Sequence, residues 1–419
     1  MIQLTKFCLQ LIAMPRPSVQ LSVKLLFRLY FLFTFAALGM LIAFLPLHYD
    51  SLGFSGIQIS TIMIVGSAAL ILVAPRYGLL YDRAIDKRQI LVISLVVMGV
   101  ALSSVAWLKA FVPILFAYMI YRMVMGPFYS ISENLSYAVA AKSTDKGNSS
   151  FGSIRLWGSI GYAVATLFAG WLYQSFGVTF NTISFLIFTG LSLVVLLLMP
   201  NSVFEVEEED EAQENLSISA VLKLVVSHRF LWLMVLALAI SDPTQDGVRS
   251  FEPIYMSNLG LGAGMVGLAS SLSAIGEVPF MMYADRVIRK IGIQRIIVAV
   301  ILFDLVRRLL VWFFPSGPMV FGTSIITSLS FTFRLVGTLT LINLSLPKRV
   351  INTAHTFIYV TLFGVGYIVS NALSGLVYDR YGNRVVYLVA AVLNLLSLFL
   401  ALSAGRFEPK FTPVGGKNE

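Results

Sequence analysis

The chain has 419 residues, of which 58% are hydrophobic and only 12% charged; the net charge is +9 and the mean hydropathy +0.85. A soluble domain carries about 25% charged residues, so lipid is the expected solvent for most of this chain and a water-soluble enzyme is excluded. A single cysteine, Cys8, rules out an intrachain disulfide, and three histidines offer no protein metal site.

A bilayer span needs about 20 mostly apolar residues. Runs of that kind predict helices near 27–48, 57–80, 89–108, 111–133, 152–174, 178–199, 230–251, 264–284, 293–314, 318–342, 352–376 and 385–404. The runs are continuous rather than alternating, which argues against a β-barrel. Residues 1–26 read as a cytoplasmic tail, because Phe7 to Met14 is too short and too polar for a signal peptide. Residues 201–229, with the run Glu205 to Glu211, read as an acidic linker between a half at 27–200 and a half at 230–405; residues 406–419 form a second tail. Loop Lys and Arg residues gather on one side of this arrangement. Only Lys109, Arg380 and Arg384 fall on the other. The positive-inside rule then places both termini in the cytoplasm, and the net charge reflects this bias rather than a nucleic-acid partner.

The two halves repeat. Asp82-Arg83 matches Asp285-Arg286. Gly161 through Gly177 matches Gly366 through Gly382, and Phe44-Leu45-Pro46 matches Phe251-Glu252-Pro253, all at nearly one offset. Parallel six-helix halves place a solute site between them, near the bilayer midplane.

Six basic residues fall inside spans: Arg122, Arg155, Arg249, Arg307, Arg308 and Arg334. Six acidic ones do too: Glu133, Asp242, Asp246, Glu252, Glu277 and Asp304. Each charge at the bilayer centre costs roughly 2.5–3.5 kcal/mol on insertion scales, so the equal numbers point to pairing within a watery cleft. Arg155, Glu252 and Glu277 fall on apolar residues of the opposite half, which assigns them to a site rather than to the shared fold. Arg155, Ser159 and Tyr162 share one helix face, and Arg122 and Glu133 lie about three turns apart on one face. Asp304 stands where it can neutralise Arg308. Pro243 and Gly247 are positioned to break the seventh helix. Gly158, Gly161, Gly364 and Gly366 read as close helix-packing positions. An enzyme would need a nucleophile–base set or a phosphate loop, and the sequence offers neither.

The stretch Gly78-x-x-x-Asp82-Arg83-x-x-x-Lys87-Arg88 resembles the signature loop of the major facilitator superfamily, with a weaker copy at Asp285-Arg286. Ile85 and Met281 stand where that loop usually has glycine. The resemblance implies an all-α integral membrane fold of twelve transmembrane helices in two pseudo-symmetric six-helix halves. It also implies that Gly78, Asp82, Arg83, Asp285 and Arg286 form a conformational latch. Glu133, followed by Phe151-Gly152-Ser153-Ile154-Arg155-Leu156-Trp157-Gly158, is similar to the branch of lactose permease, phenylpropionate permease and nucleoside–proton symporters. That resemblance implies solute binding by Glu133, Arg155 and Tyr162, with Arg122 and Asp246 nearby, and proton coupling through Glu277, Arg307 and Asp304. Thr327 stands where the branch has a histidine.

The expected activity is proton symport of a small polar or anionic organic solute, a sugar, nucleoside or aromatic acid. No cofactor is expected beyond the coupling proton, and the protein is expected to be a monomer of the cell's inner membrane. An efflux antiporter usually carries Gly-Pro in the fifth span; here Gly126-Pro127 lies in the fourth. A non-transporting solute sensor of the same fold is the remaining alternative.

Overall fold

The structure is a computed structural model. It describes residues 22–141, 151–204, 218–347, 350, 354–355 and 357–407. Both tail ends and the acidic run lie outside the described residues, as do the side chains of Asp82 and Asp285.

The described residues contain no strand, and twelve long helices organise them. In the first half these are α1 (Val23–Leu41), α2 (Gly56–Asp82), α3 (Lys87–Ser104), α4 (Phe111–Ala141), α5 (Phe151–Phe176) and α6 (Val178–Leu198). In the second they are α7 (Arg229–Asn258), α8 (Ala263–Ile291), α9 (Ile293–Phe313), α10 (Ser324–Ser345), α11 (Gly364–Tyr381) and α12 (Asn383–Ala404). A linker helix, Ile218–Ser227, precedes α7, and a π-helical stretch, Phe357–Phe363, leads into α11.

Nine helical segments of the described residues are long and apolar enough to cross a membrane. Helices α5, α7 and α9 are not among them. Charge explains two of these: α7 holds Asp242, Asp246, Arg249 and Glu252, and α9 holds Asp304, Arg307 and Arg308. Because apolar neighbours surround them in the bundle, such helices need not satisfy the composition of a lone span.

The halves are built alike. In the first, α1 packs on α5 and α6, α2 and α3 pack on α4, and α3 packs on α6. In the second, α7 packs on α11 and α12, α8 and α9 pack on α10, and α9 packs on α12. Lipid offers no hydrophobic drive for helix association, so contact depends on small residues that let backbones approach. Gly161 and Gly39 fill this role between α1 and α5: a Cβ on Gly39 would lie 2.8 Å from the Tyr162 carbonyl oxygen. Pro243 sits inside an unbroken α7, so the expected break in the seventh helix is not there. Gly366 of α11 makes room for it: a Cβ there would lie 2.9 Å from the Ala239 carbonyl oxygen, whose usual donor Pro243 lacks.

Two seams join the halves, α2 with α11 and α5 with α8. They are copies of each other under the sequence repeat. At the first, Gly56 meets Gly375, where an added Cβ would lie 2.8 Å from the Gly375 carbonyl oxygen. At the second, Gly170 meets Ala263, Gly264 and Gly267, with a Cβ 2.7 Å from the Ala263 carbonyl oxygen. Polar caps reinforce both. Asp379 accepts from the Gly56 and Ile57 N–H groups at 2.5 and 2.9 Å. Gln174, its repeat equivalent, accepts from the Gly264 N–H at 3.1 Å. Ser55 and Gln58 complete a capping box on α2, so its first N–H groups are satisfied partly by its own half and partly by the other.

All these contacts lie at one end of the bundle. The apolar core of the first half is continuous there with Phe251, Tyr255, Val377 and Tyr387 of the second. At the opposite end the second half keeps a separate core, from Phe230 and Met234 to Ala401 and Ala404. The bundle is therefore closed at the seam end and divided at the other.

Asp379→Ala is expected to loosen the seam. In a Cys8→Ser background carrying Ser60→Cys, a position 2% exposed, alkylation by N-ethylmaleimide should run several times faster once Asp379 is replaced. Equal rates would show that this cap does not hold the seam.

Candidate functional site

The twelve intramembrane charges separate into two sets of three bases and three acids. One set is a buried network in the second half. Arg307 reaches Glu252 through Nη2, at 2.9 and 2.8 Å to the two carboxylate oxygens, and its Nε donates to the Thr323 carbonyl at 3.1 Å. The Tyr387 hydroxyl donates to the same carboxylate at 2.7 Å. Arg334 of α10 spans Asp242 at 3.0 Å and Asp304, and the Tyr367 hydroxyl also bonds Asp242. Arg308 donates to the Ala390 carbonyl and the Gln245 side-chain carbonyl, both at 3.2 Å. Asp304, Arg307 and Arg308 are each 1% exposed and Arg334 4%. Groups so deeply buried persist only when paired and hydrogen-bonded.

This network corrects three placements expected from the sequence. Arg307 stands with Glu252 rather than beside Glu277, Glu252 thereby belongs to this network rather than to the cleft, and Asp304 pairs with Arg334 rather than with Arg308. Sequence spacing relates residues within a helix, whereas both real partners come from other helices.

The second set lines the space between the halves. Glu133 of α4 accepts from Arg155 Nε of α5 at 3.0 Å, with the side chains 40% and 29% exposed. The Arg155 guanidinium lies over the Phe35 ring of α1, 4.0 Å from its centroid, and Tyr129 also packs against that ring. Asp246 of α7 accepts from Asn371 of α11 at 2.9 Å, and Asn371 accepts in turn from Ser250 at 2.9 Å. Tyr162 of α5 lies within electrostatic range of Arg249 of α7, across the two halves. Glu277 of α8 has Arg249 and Arg155 as its charged neighbours. Arg122 is half-buried on α4; its closest polar contact is Met125 Sδ at 3.5 Å, and Tyr118 lies in electrostatic range of both Arg122 and Asp246.

Glu133, Arg155, Tyr162, Asp246 and Glu277 are thus brought to one cleft, and Arg307 and Asp304 are set apart from it. Arg249, Asn371 and Phe35 join the cleft without having been singled out from the sequence. Arg249 was visible as one of the six intramembrane arginines; nothing in the chain alone marks Phe35 among so many aromatic residues. Gly78 has open space around it, while Arg83 and Arg286 are exposed and belong to none of the ion pairs of the described residues.

A charged cleft between two like helical halves, closed at one end, defines a membrane transport protein of the major facilitator fold. A family model described as the MFS_1 like family matches residues 24–389, and the chain belongs to that family. It is 26% identical to a maltose permease of Geobacillus stearothermophilus over 391 residues, 92% of this chain and 95% of the permease. It is 22% identical to a probable 3-phenylpropionic acid transporter of Escherichia coli over 346 residues, 82% of this chain and 85% of that one. Among solved structures, a single-residue variant of the nucleoside transporter NupG superposes with a TM-score of 0.77 at 16% identity, covering 91% of this chain and all of that one. These relatives are transporters rather than enzymes.

The two charge sets should respond differently to mutation. Asp304→Ala leaves buried guanidinium groups uncompensated and is expected to destabilise the protein by about 3–5 kcal/mol, read as a lowered midpoint of unfolding in detergent. Glu133→Gln removes a half-exposed partner and should cost about 1 kcal/mol or less. Equal losses would contradict the division.

Proposed function

We propose that the protein is a secondary active transporter that moves a small polar or anionic organic solute, of the sugar, nucleoside or aromatic-acid class, by alternating access with proton symport. The observation that supports this reading is the cluster of Glu133, Arg155, Tyr162, Asp246, Arg249 and Glu277, drawn from both halves. A transporter must expose its site to one side at a time, and two pseudo-symmetric halves rocking about a central site do so.

The Lys and Arg distribution supports a cytoplasmic position for both termini and for the divided end, in the inner membrane. In that orientation the conformation reads as inward-open. The Asp82-Arg83 and Asp285-Arg286 loops then lie at the open face, where a latch would engage in the opposite state. Two halves at 27–200 and 230–405, joined by the linker at 201–229, are the moving units of a monomer. Solute class follows the names of the relatives, a maltose permease and a probable 3-phenylpropionic acid transporter, and of the structural neighbour, a nucleoside transporter.

The test is uptake into proteoliposomes of labelled maltose, a nucleoside and 3-phenylpropionate with an imposed pH gradient. At least one should accumulate uphill and leak out on addition of a protonophore. Arg155→Ala should reduce uptake by at least about tenfold, a loss of roughly 1.4 kcal/mol of binding. Uptake that ignores the gradient would overturn the symport reading, and movement against it in the outward direction would make the protein an exporter.

A further inference from the structure

Helices α7 and α12 pack along each other, and as odd and even spans they run antiparallel. Two rungs fix their register. At one, Arg308 of α9 donates to the Gln245 side-chain carbonyl and to the Ala390 carbonyl, both at 3.2 Å. At the other, the Ser397 hydroxyl donates to the Ala237 carbonyl at 2.7 Å. Ser241 lies midway between Ala237 and Gln245, and Asn394 lies between Ala390 and Ser397. The register therefore sets Ser241 and Asn394 at one level, a turn away from the Arg308 rung. Helix α9 runs parallel to α7, so Asp304, one turn before Arg308, joins that level.

The polar side chains gathered here are not fully answered by the protein. Ser241 and Asn394 are 0% exposed, and Asp304 and Arg308 1%. Among the described residues, the Ser241 hydroxyl, both amide atoms of Asn394, Asp304 Oδ1 and Arg308 Nε have no hydrogen-bond partner. The other Asp304 oxygen is engaged by Arg334, and the terminal Arg308 nitrogens by Ala390 and Gln245. A buried donor or acceptor with no partner carries its whole desolvation penalty, so five such atoms at one level cannot stay dry. The packing leaves room close by. Between α7, α11 and α12 a cavity of about 10 Å³ opens beside Ala390, with Thr244, Ser370 and Ser374 in its wall. That is about the space one water molecule needs.

We propose that Ser241, Asp304, Arg308 and Asn394 form a binding site for internal water, which completes the link between α7, α9 and α12. The mixture of groups selects water over an ion. Arg308 Nε and the Asn394 amide nitrogen donate, Asp304 Oδ1 and the Asn394 amide oxygen accept, and the Ser241 hydroxyl does either. Water donates and accepts, so it answers both kinds. A halide answers only the donors. It would also add charge to a network in which Arg307, Arg308 and Arg334 already balance Asp242, Glu252 and Asp304, and would sit beside the Asp304 carboxylate. A metal cation answers only the acceptors and would meet the Arg308 guanidinium. The water belongs to the second half and travels with it, unlike the solvent of the cleft between the halves.

The experiment uses the purified full chain in detergent and turns on the sign of one substitution. Asn394→Leu keeps the size of the side chain and removes both amide atoms. In a dry core it would delete two unanswered polar atoms and raise the unfolding midpoint. With water bound it evicts the water and strips Arg308 Nε and Asp304 Oδ1 of their partner, so the midpoint is expected to fall by several degrees. Ser241→Ala should also lower it, and the double variant should fall short of the sum, because both act through the same water. Pulsed X-ray radiolysis, which makes hydroxyl radicals from bound water in place, reads the water directly. Leu238, 0% exposed and one turn before Ser241, should be oxidised in the parent chain and several-fold less in Asn394→Leu. Leu102 of α3, also 0% exposed but set in the apolar core of the first half, should stay unmodified in both. A midpoint that rises or holds in Asn394→Leu would overturn the proposal, as would Leu238 oxidation that is absent from the parent chain or unchanged by the substitution. A parent midpoint that is higher in chloride than in gluconate, with the difference abolished by Asn394→Leu, would put an anion at the site and overturn it too.

Discussion

The organising constraint is the cost of holding twelve ionisable side chains within a bundle that spans lipid. At several kcal/mol apiece, unpaired, they would exceed the stability of an ordinary fold. The protein resolves this by segregation. Asp242, Glu252, Asp304, Arg307, Arg308 and Arg334 close on one another and on Tyr367, Tyr387 and backbone carbonyls of the second half. That network ties α7, α9, α10, α11 and α12 together. The remaining six charges are kept where water reaches them, and there incomplete pairing is tolerable and useful.

The network also makes the halves mechanically unequal, although their helix pairings match. The second half is cross-braced by ionic contacts among five helices. In the first half the described ion pair is Arg155–Glu133 at the cleft wall, and its packing rests on aromatic clusters such as Tyr30, Phe31 and Phe128 and on glycines that bring α1 against α5. Between the halves the contacts are of a third kind: glycine against backbone, with caps from Asp379 and Gln174. Such seams break at helix ends, where water can replace the lost hydrogen bonds. That is the property a gate requires.

The sequence makes the fold legible because hydropathy and internal repetition report directly on it. The offset between Gly170 and Gly375 reappears as two equivalent seam contacts, and Gln174 and Asp379 cap equivalent helices. The site is legible in part. Glu133 with Arg155 was foreseeable, as was the presence of Tyr162 and Glu277 nearby. Pairings between helices were not: Arg307 was placed with Glu277, and its pairing with Glu252 follows only from the packing of α7 and α9 against α12. The continuity of α7 was hidden for a similar reason, since its tolerance of Pro243 depends on Gly366, more than a hundred residues away.

The central claim is that two like halves move about a charged cleft, opening one end as the other closes. The direct measurement is of paired spin-label distances in a Cys8→Ser background, between Leu79→Cys and Met282→Cys at the divided end and between Ser55→Cys and Arg380→Cys at the seam end. Both members of the first pair are exposed, at 55% and 70%, so labels there should be tolerated. Addition of a transported solute at acidic pH should shorten the first distance and lengthen the second in the same population of molecules. If both distances stay fixed, or change in the same sense, the account is contradicted.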